Sequence, residues 1–387
     1  MILSHRIRLN ANNKQRTYLA KASGVARFAY NWALAKWKML YESGGKVSEG
    51  LLRKQLNATK RESFPWMLEV TKCAPQLAIK DLGKAFENFF AGRAAFPKFK
   101  KKGRHDSFGI SNDQFNIKGK MIRVPNLGYV RMAEALRFDG KIMGAVISRT
   151  ADKWFVSVQV EMPGPEPIHG SGSIAVGVDL GVKDLATLSD GTKIPGAKPH
   201  KALLSRLRRL NQSLSRKQGA EKGEKKSKNF IKAQTKLSRL HAKAANIRSD
   251  ETHKLTTMLT QNYGVIGIED LNVSGMAKNH SLARAILDMS FFEFRRQLEY
   301  KARMTGSTVV IADRFYPSSK LCSSCGEKYD GLELSMREWD CPVCNWHHDR
   351  DVNAAINLKN NAVSYTVSAC GELVGSHLYE AGTQLQS

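Results

Sequence analysis

The first hundred residues contain two different hydrophobic patterns. "MILSHRIRLN" alternates apolar and polar residues, which predicts a short, half-buried strand over residues 1–10. Over residues 11–105, in "VARFAYNWALAKWKMLY" and "APQLAIKDLGKAFENFF", apolar residues instead recur every three or four positions. This spacing predicts helices with one buried face, and Pro75 suits the first turn of one of them.

Residues 106–165 return to strand patterns. "KMIRVPNLGYVRM" and "GAVISRTADKWFVSVQVEM" are rich in alternating β-branched and aromatic residues, and "TADK" predicts a turn between two strands. Because residues 1–10 have the same character, we expect them to join residues 106–165 in a small β-barrel that carries residues 11–105 as a helical insertion. The segment "PGPEPIHGSGS", Pro163 to Ser173, is typical of a linker.

Two buried strands that end in acids follow the linker. "IAVGVDLGVKDLATLSDGTKI" predicts a strand that ends at Asp179, a turn and a second strand, and "YGVIGIEDLNVSG" leads to Glu269 and Asp270 in the same way. A helix then follows in "SFFEFRRQLEYKARMTG", where Ser290 and Glu293 have the spacing of a capping box.

The composition indicates a polyanionic partner. The 387 residues include 61 Lys and Arg against 35 Asp and Glu, a formal charge of +26 and a pI of about 9.9. So large an excess suits nucleic acid, although a basic enzyme without such a partner is the alternative. The chain is long enough for two or three domains. The N-terminus lacks a secretory signal and no apolar run approaches the roughly 20 residues of a membrane span, so we expect a cytoplasmic protein.

The positive charge is concentrated in two segments. From Lys201 to Arg248 there are fifteen Lys or Arg against two acids, over two helical patterns broken near Gly219 to Gly223. The first helix has an apolar stripe of Leu203, Leu207, Leu210 and Leu214, and the second has Ile231, Leu237 and Leu240. The loop "FPKFKKKGRHDSF" interleaves lysines with aromatics, which favours phosphate and base contacts or a solvated linker. The candidate nucleic-acid contacts in these segments are Lys98, Lys100, Lys101, Arg206, Arg208, Arg209, Arg216 and Lys217.

Three acids together are typical of phosphodiester hydrolysis. Asp179 and Glu269 end buried strands, and "HHDRDVNAAINL" supplies the third acid, Asp349 or Asp351, at the start of a helix. Such hard oxygen ligands can hold two Mg²⁺ ions. Along the chain, the acids and the predicted strands and helices that carry them follow the order of an RNase H-like fold. "VDLG" alone also resembles the phosphate turn of actin-like sugar kinases, but the sequence has no glycine-rich phosphate loop to support that interpretation.

Four cysteines predict a structural zinc site. Cys322 and Cys325 form one C-x2-C knuckle, and after fifteen intervening residues Cys341 and Cys344 form a second. Four thiolates on two such knuckles suit tetrahedral Zn²⁺, with His347 and His348 as alternative ligands. Cys73 and Cys370 lie far from this cluster in the sequence.

In these motifs the sequence resembles the TnpB family. Members of this family are the RNA-guided nucleases of bacterial insertion sequences, and they are related to type V CRISPR effectors. The resemblance covers most of the chain. It rests on "ARFAYNWAL", "FPKFKKK", "VGVDLGVKDLATLSDG", "LSRLRRLNQSLSRKQ", "IGIEDLNVSGM", "FYPSSKLCSSCG" and "CPVCNWHHDRDVNAAINL".

The resemblance implies a fold with α/β, α and β parts. A wedge-like β-barrel (1–10 and 106–165) would carry a helical recognition insertion (11–105). A RuvC-like, RNase H-like nuclease domain (172–320 and 347–365) would be interrupted by a zinc ribbon (321–346). Residues 366–387 have no strong periodicity, and we expect a tail without fixed structure.

The resemblance also implies an activity. Asp179, Glu269 and Asp351 correspond to the family's catalytic acids, with Asp349 as the alternative for the third. The expected protein is a monomer in the bacterial cytoplasm, associated with the nucleoid, without a membrane or small-molecule cofactor. It would bind a guide RNA from the transposon end and cleave double-stranded DNA with two Mg²⁺ ions.

Target choice would depend on base pairing and on a short adjacent motif. Lys72 and Gln76, one helical turn apart, are candidates to contact the base edges of that motif. The alternatives are a nuclease-inactive RNA-guided repressor and a zinc-ribbon DNA-binding transposition factor whose acids are structural.

Overall fold

The chain folds as two units, residues 1–164 and 165–387. The structure is a computed structural model that describes residues 1–163, 174–218, 226–333 and 335–383, with side chains up to residue 366. Most of the predicted linker and the predicted break between the two basic helices lie outside the described residues. Within the described ranges, no helix combines the length and the apolar run that crossing a bilayer requires.

Two sheets form the β part of the N-terminal unit. The strands are β1 (Ile2–Leu9), β2 (Ser107–Ser111), β3 (Asn116–Lys118), β4 (Met121–Val124), β5 (Gly128–Arg131), β6 (Lys141–Thr150) and β7 (Lys153–Glu161). One sheet has the order β1-β7-β6-β2 and the other the order β3-β4-β5. An isolated bridge between Leu9 and Met132 links them. The first strand therefore pairs with a strand some 150 residues later, as expected for a strand that joins residues 106–165. The described strands form two bridged sheets, and the barrel stays a prediction.

Three helices lie in sequence between β1 and β2, which belong to the same sheet. They are α1 (Asn13–Glu42), α2 (Glu49–Ser63) and α3 (Cys73–Phe90), with a short 3-10 helix at Pro65–Glu69. The rings of Trp37 on α1 and Phe86 on α3 stack with centroids 4.2 Å apart. Both rings belong to a hydrophobic core that also includes strand residues such as Ile110 and Ile147. Helices and sheets of this unit therefore share one core.

A five-stranded sheet forms the centre of the C-terminal unit. Its strands are β8 (Ala175–Asp179), β9 (Asp184–Leu188), β10 (Lys193–Pro195), β11 (Val265–Glu269) and β12 (Thr308–Ala312). Their order is β10-β9-β8-β11-β12. Strand β11 runs parallel to β8 and β12, whereas β9 runs antiparallel to both of its neighbours. The apolar runs noted in the sequence are the buried centres of β8 and β11.

Helices and a small hairpin are the remaining elements of this unit. They are α4 (Pro199–Ala202), α5 (Leu204–Ser215), α6 (Lys228–Asn262), α7 (Val273–Met276), α8 (Ala283–Met289), α9 (Phe291–Thr305), β13 (Glu338–Asp340), β14 (His347–Asp349) and α10 (Arg350–Thr383). Strands β13 and β14 pair in antiparallel register. This hairpin continues past residue 346, so the ribbon boundary that we expected there falls inside it.

The predicted capping box at the start of α9 is wrong. Ser290 connects α8 directly to α9 and takes a left-handed conformation with φ of 57°. A connection of one residue requires this sharp change of direction. Ser290 therefore does not have the extended backbone conformation of a capping serine. The Glu293 carboxylate instead accepts hydrogen bonds from Arg296 and Gln297.

Two further expectations need correction. The sequence pattern predicts Ile231 on the apolar stripe of the second basic helix, but its side chain is 51% exposed. Phe230 and Ala233 are buried with Leu240 instead, so the buried face is rotated by about one residue. Helix α10 continues to Thr383, through most of the segment for which we expected no fixed structure. That segment contains no proline to end the helix, although it lacks a clear apolar period.

Candidate active site and metal centre

Asp179 and Glu269 lie side by side at the ends of two parallel strands. Val178 of β8 is in register with Ile268 of β11, and each acid is the next residue along its strand. The preceding residues are buried, whereas both acids are partly exposed at the carboxyl edge of the sheet. The strand pairing therefore brings together two acids that are 90 residues apart in the sequence.

Helix α10 brings the third acid to this edge because two glycines allow close packing. Gly177 and Gly267 are in register in the centre of the sheet. A Cβ atom at Gly177 would meet the α10 backbone at Ala355, and one at Gly267 would meet it at Leu358. Only glycine permits so close an approach of helix and sheet. Asp351 lies one helical turn before Ala355, towards the edge where the strands end.

The charges of the three acids interact. Burial raises the pKa of Asp179 well above its usual value, and the neighbouring Glu269 and Asp351 carboxylates raise it further, while Arg350 acts in the opposite direction. Glu269 accepts a hydrogen bond from the Ser318 hydroxyl at 3.0 Å. The Arg337 guanidinium lies 3.6 Å from Asp351. A cluster of carboxylates that is costly to ionise together is suited to hold cations.

Asp349, the alternative third acid, has other partners. Its Oδ1 accepts hydrogen bonds from the backbone N–H groups of Asp351 and Val352, both at 3.1 Å, and so caps α10. Its Oδ2 accepts a hydrogen bond from Lys193 Nζ at 2.6 Å. Partial burial favours a higher pKa for Asp349, but the bond from Lys193 and the backbone donors outweigh it and lower the pKa. Asp349 therefore begins the helix that carries Asp351.

The four predicted zinc ligands form a tight cluster. In the part of the chain that the structure describes, four cysteine side chains could hold a metal ion together: Cys322, Cys325, Cys341 and Cys344. Their sulfur atoms all lie within 4.8 Å of one another. The Cys322–Cys344 and Cys325–Cys341 sulfur pairs are 3.6 and 3.7 Å apart. Zn–S bonds of about 2.3 Å in a tetrahedron need sulfurs about 3.8 Å apart, so this donor set fits Zn²⁺.

The two alternative histidine ligands have separate contacts. His347 Nδ1 lies 2.7 Å from Asp340 Oδ1. His348 is buried, with Nε2 at 3.0 Å from Cys322 Sγ and its ring against Trp339. Because His348 directly precedes Asp349, this contact ties a zinc-ligand sulfur to the start of α10.

The predicted nucleic-acid contacts lie in both units. Lys72 is exposed at the start of α3, and Gln76 is half-buried one turn later. Lys98, Lys100 and Lys101 follow α3 in the basic loop, where Lys100 Nζ also lies 4.0 Å over the Tyr30 ring. The five basic candidates on and just after α5 are all exposed, while Leu207 is buried: Arg206, Arg208, Arg209, Arg216 and Lys217.

Sequence reasoning missed several residues around the acids. Lys193 and Ser318 hold acidic side chains, and Asn353 and Asn357 are buried amides on α10. The "DVNAAIN" motif contained a signal, because two amides four residues apart on an apolar helix face must find buried partners. The sequence did not identify those partners.

Three family models match the chain. They are described as "Helix-turn-helix domain" (residues 1–46), "Probable transposase" (residues 156–280) and "Cas12f1-like, TNB domain" (residues 291–358). The third match begins at α9 and includes the four cysteines and the start of α10.

Two bacterial relatives match almost the whole chain. The relative from Escherichia coli (strain K12), named "Putative RNA-guided DNA endonuclease InsQ", is 36% identical over 396 residues, which cover 96% of this chain and 94% of the relative. A relative from Streptomyces pristinaespiralis, named "Putative RNA-guided DNA endonuclease", is 35% identical over 375 residues, with coverages of 94% and 90%.

Among solved structures, the chain is similar to a chain in "Cryo-EM structure of the Cas12f1-sgRNA-target DNA complex". The TM-score is 0.54 at 14% sequence identity, covering 90% of this chain and 83% of that chain. The fold of this chain is therefore similar to that of the Cas12f1 chain. The two bacterial relatives are 36% and 35% identical to this chain over almost its whole length. The chain therefore belongs to the TnpB family, as its motifs predict.

Proposed function

We propose that this protein is an RNA-guided DNA endonuclease in which Asp179, Glu269 and Asp351 form the catalytic centre. The observation that carries the proposal is the convergence of three carboxylates at the carboxyl edge of β8 and β11, with a raised pKa for Asp179. Perturbed acids at such an edge are a mark of functional sites. The names of the two bacterial relatives agree with the proposed endonuclease activity.

The sheet topology supports a RuvC-like, RNase H-like nuclease domain. Across the sheet the strands lie in the order β10-β9-β8-β11-β12, which is 3-2-1-4-5 when they are numbered along the chain. Only β9 runs antiparallel to the first strand, β8. The ribbon lies in sequence between β12 and α10. We therefore retain the sequence-derived division into a wedge-like β part, a helical insertion, a nuclease domain and a zinc ribbon.

The donor chemistry of the two sites supports two different metals. The carboxylates are hard oxygen ligands suited to Mg²⁺, and the four thiols are soft ligands suited to Zn²⁺. Asp179, Glu269 and Asp351 would hold Mg²⁺, which when bound supplies an activated water and stabilises the leaving oxygen. The four cysteines would hold a structural Zn²⁺.

The surrounding residues hold these acids in place. Ser318 fixes one oxygen of Glu269, and Asp349 with Lys193 fixes the first turn of α10. Asp179 has to lose its proton before it can act as a cation ligand, and its raised pKa makes that loss harder. Activity should therefore fall as the pH is lowered through the raised pKa of Asp179.

The proposed partners are a guide RNA from the transposon end and double-stranded target DNA. The net charge of +26 and the exposed basic residues on α5 support binding to phosphate backbones. Base pairing with the guide would supply most of the sequence specificity. Lys72 and Gln76 remain our candidates to contact the target-adjacent motif.

The test uses the protein with its own RNA. The chain is co-expressed with RNA from its genomic flank, the bound RNA is sequenced, and the particle is incubated with Mg²⁺ and a plasmid library with a randomised motif. We expect motif-dependent cleavage that Asp179→Ala abolishes. RNA-dependent target binding without cleavage would instead indicate a repressor, and DNA binding without RNA would indicate a transposition factor.

A further inference from the structure

A short segment before the first zinc knuckle contacts the acid cluster. We call residues 318–323 the ribbon strap, because they lead from the nuclease sheet into Cys322. Ser318 is only 5% exposed, and its hydroxyl donates a hydrogen bond to Glu269 Oε1 at 3.0 Å. The strap therefore holds one oxygen of a candidate catalytic carboxylate.

Two buried amides of α10 hold the strap itself. Asn357 Nδ2 donates to the backbone carbonyl oxygens of Ser318 and Leu321, at 2.7 and 2.8 Å. Asn353 Nδ2 donates to the Leu321 carbonyl at 2.7 Å, and Asn353 Oδ1 accepts from the Ser323 N–H at 2.9 Å. Asn353 and Asn357 are 1% and 5% exposed. Breaking these bonds would leave buried polar groups without partners, which is costly.

These bonds connect the two metal centres through the strap. Asn353 and Asn357 lie on the helix that carries Asp351, Ser318 contacts Glu269, and the strap contains Cys322. The position of Glu269 relative to Asp351 therefore depends on a buried hydrogen-bond network rather than on the sheet alone. Hydrogen bonds of this kind orient carboxylate ligands and raise their affinity for cations.

We infer that Ser318 is a positioning residue of the nuclease centre: its hydroxyl fixes the Glu269 carboxylate, and Asn353 and Asn357 hold the backbone that presents this hydroxyl. The inference rests on the proposed nuclease function. It assigns to Ser318 an effect on cation binding that acts through Glu269. It assigns to Ser318 no direct bond to the cation.

The test measures Mn²⁺ binding to the purified full chain by electron paramagnetic resonance, which needs no cleavage. We expect Ser318→Ala to weaken Mn²⁺ binding about tenfold, with an unchanged zinc content. The matched control is Ser335→Ala, because Ser335 is an exposed ribbon serine whose hydroxyl donates to another carboxylate, Glu333, at 3.3 Å. The control should bind Mn²⁺ like the wild type.

A double-mutant cycle separates positioning from a general structural effect. If Ser318 acts through the Glu269 carboxylate, Ser318→Ala should have almost no further effect on Mn²⁺ affinity in a Glu269→Gln background. Equal losses in both backgrounds, or a loss of bound zinc and thermal stability that accounts for the weaker binding, would overturn the inference.

Cleavage assays distinguish failure of this inference from failure of the proposed function. If the wild type cleaves target DNA and Ser318→Ala matches it in rate and in Mn²⁺ affinity, only the inference fails. If the wild type binds Mn²⁺ through Ser318-supported acids but never cleaves guided DNA, the proposed function fails and the positioning role stands.

Discussion

Substituting Gly177 with alanine should displace the third acid without unfolding the protein. A Cβ at this position would lie 2.5 Å from the Lys359 backbone nitrogen and closer still to the Ala355 carbonyl oxygen, whereas ordinary contacts begin at 3.4 Å. Helix α10 would therefore have to retreat from the sheet by at least about 1 Å. Because Asp351 lies one turn before Ala355, it moves with the helix.

The expected effects on rate and stability differ in size. A misplacement of about 1 Å at a catalytic centre can lower the rate about 100-fold. Overpacking of this kind costs about 1–3 kcal/mol of unfolding free energy, or about 2–12 °C in Tm for a unit of this size. Single-turnover cleavage at 25 °C and a thermal unfolding scan measure the two effects on the same preparation.

Gly144→Ala provides the matched control. Gly144 is also a strand glycine, but its nearest neighbour is an ordinary 3.5 Å from an added Cβ. We expect the control to keep the wild-type rate and a Tm within about 2 °C. A Gly177→Ala variant that cleaved within threefold of the wild-type rate would refute the idea that helix contact at Gly177 sets the position of Asp351.

Further predictions concern the third acid, the ribbon and a partly buried lysine. Asp349→Asn keeps a capping oxygen and should cleave within about threefold of the wild type, whereas Asp351→Asn should lose more than about 1,000-fold; the reverse order in single-turnover assays would make Asp349 the catalytic acid. Cys322→Ser should lose the bound zinc and lower the Tm by about 5 °C or more, while Cys73→Ser keeps the metal; zinc retained by Cys322→Ser in elemental analysis would refute the ligand assignment. Burial lowers the pKa of Lys301 from 10.5 to about 8. Between these pH values the unfolded chain holds a proton that the native unit has lost, so stability should rise with pH across this window. Lys301→Met should flatten this rise of stability with pH in unfolding scans. An unchanged slope of stability against pH would argue against a lowered pKa for Lys301.

The sequence predicted features whose signals are local. The ends of β8 and β11 followed from apolar runs that stop at Asp179 and Glu269, because burying an acid further inside a strand is costly. The cysteine cluster followed from the spacing of its two knuckles. In both cases a few neighbouring residues contain the information.

Features that depend on distant partners were not predictable in this way. Our proposal of Asp351 rather than Asp349 rests in part on the hydrogen bond that Asp349 accepts from Lys193, which is some 150 residues earlier in the chain. The role of Ser318 depends on its contact with Glu269 across the sheet edge. Ser290 had the right spacing for a capping box, but its position between two abutting helices decided its conformation.

The measurement that tests the central claim most directly compares three single substitutions at equal guide-RNA loading. Asp179→Asn, Glu269→Gln and Asp351→Asn remove one charge each with little change in shape, and Asp330→Asn changes an exposed ribbon acid as a control. With Mg²⁺ and a matched target, we expect each of the three to bind DNA like the wild type and to lose cleavage, while the control cleaves normally. Cleavage that survives any one of the three substitutions would contradict a nuclease centre built from these acids.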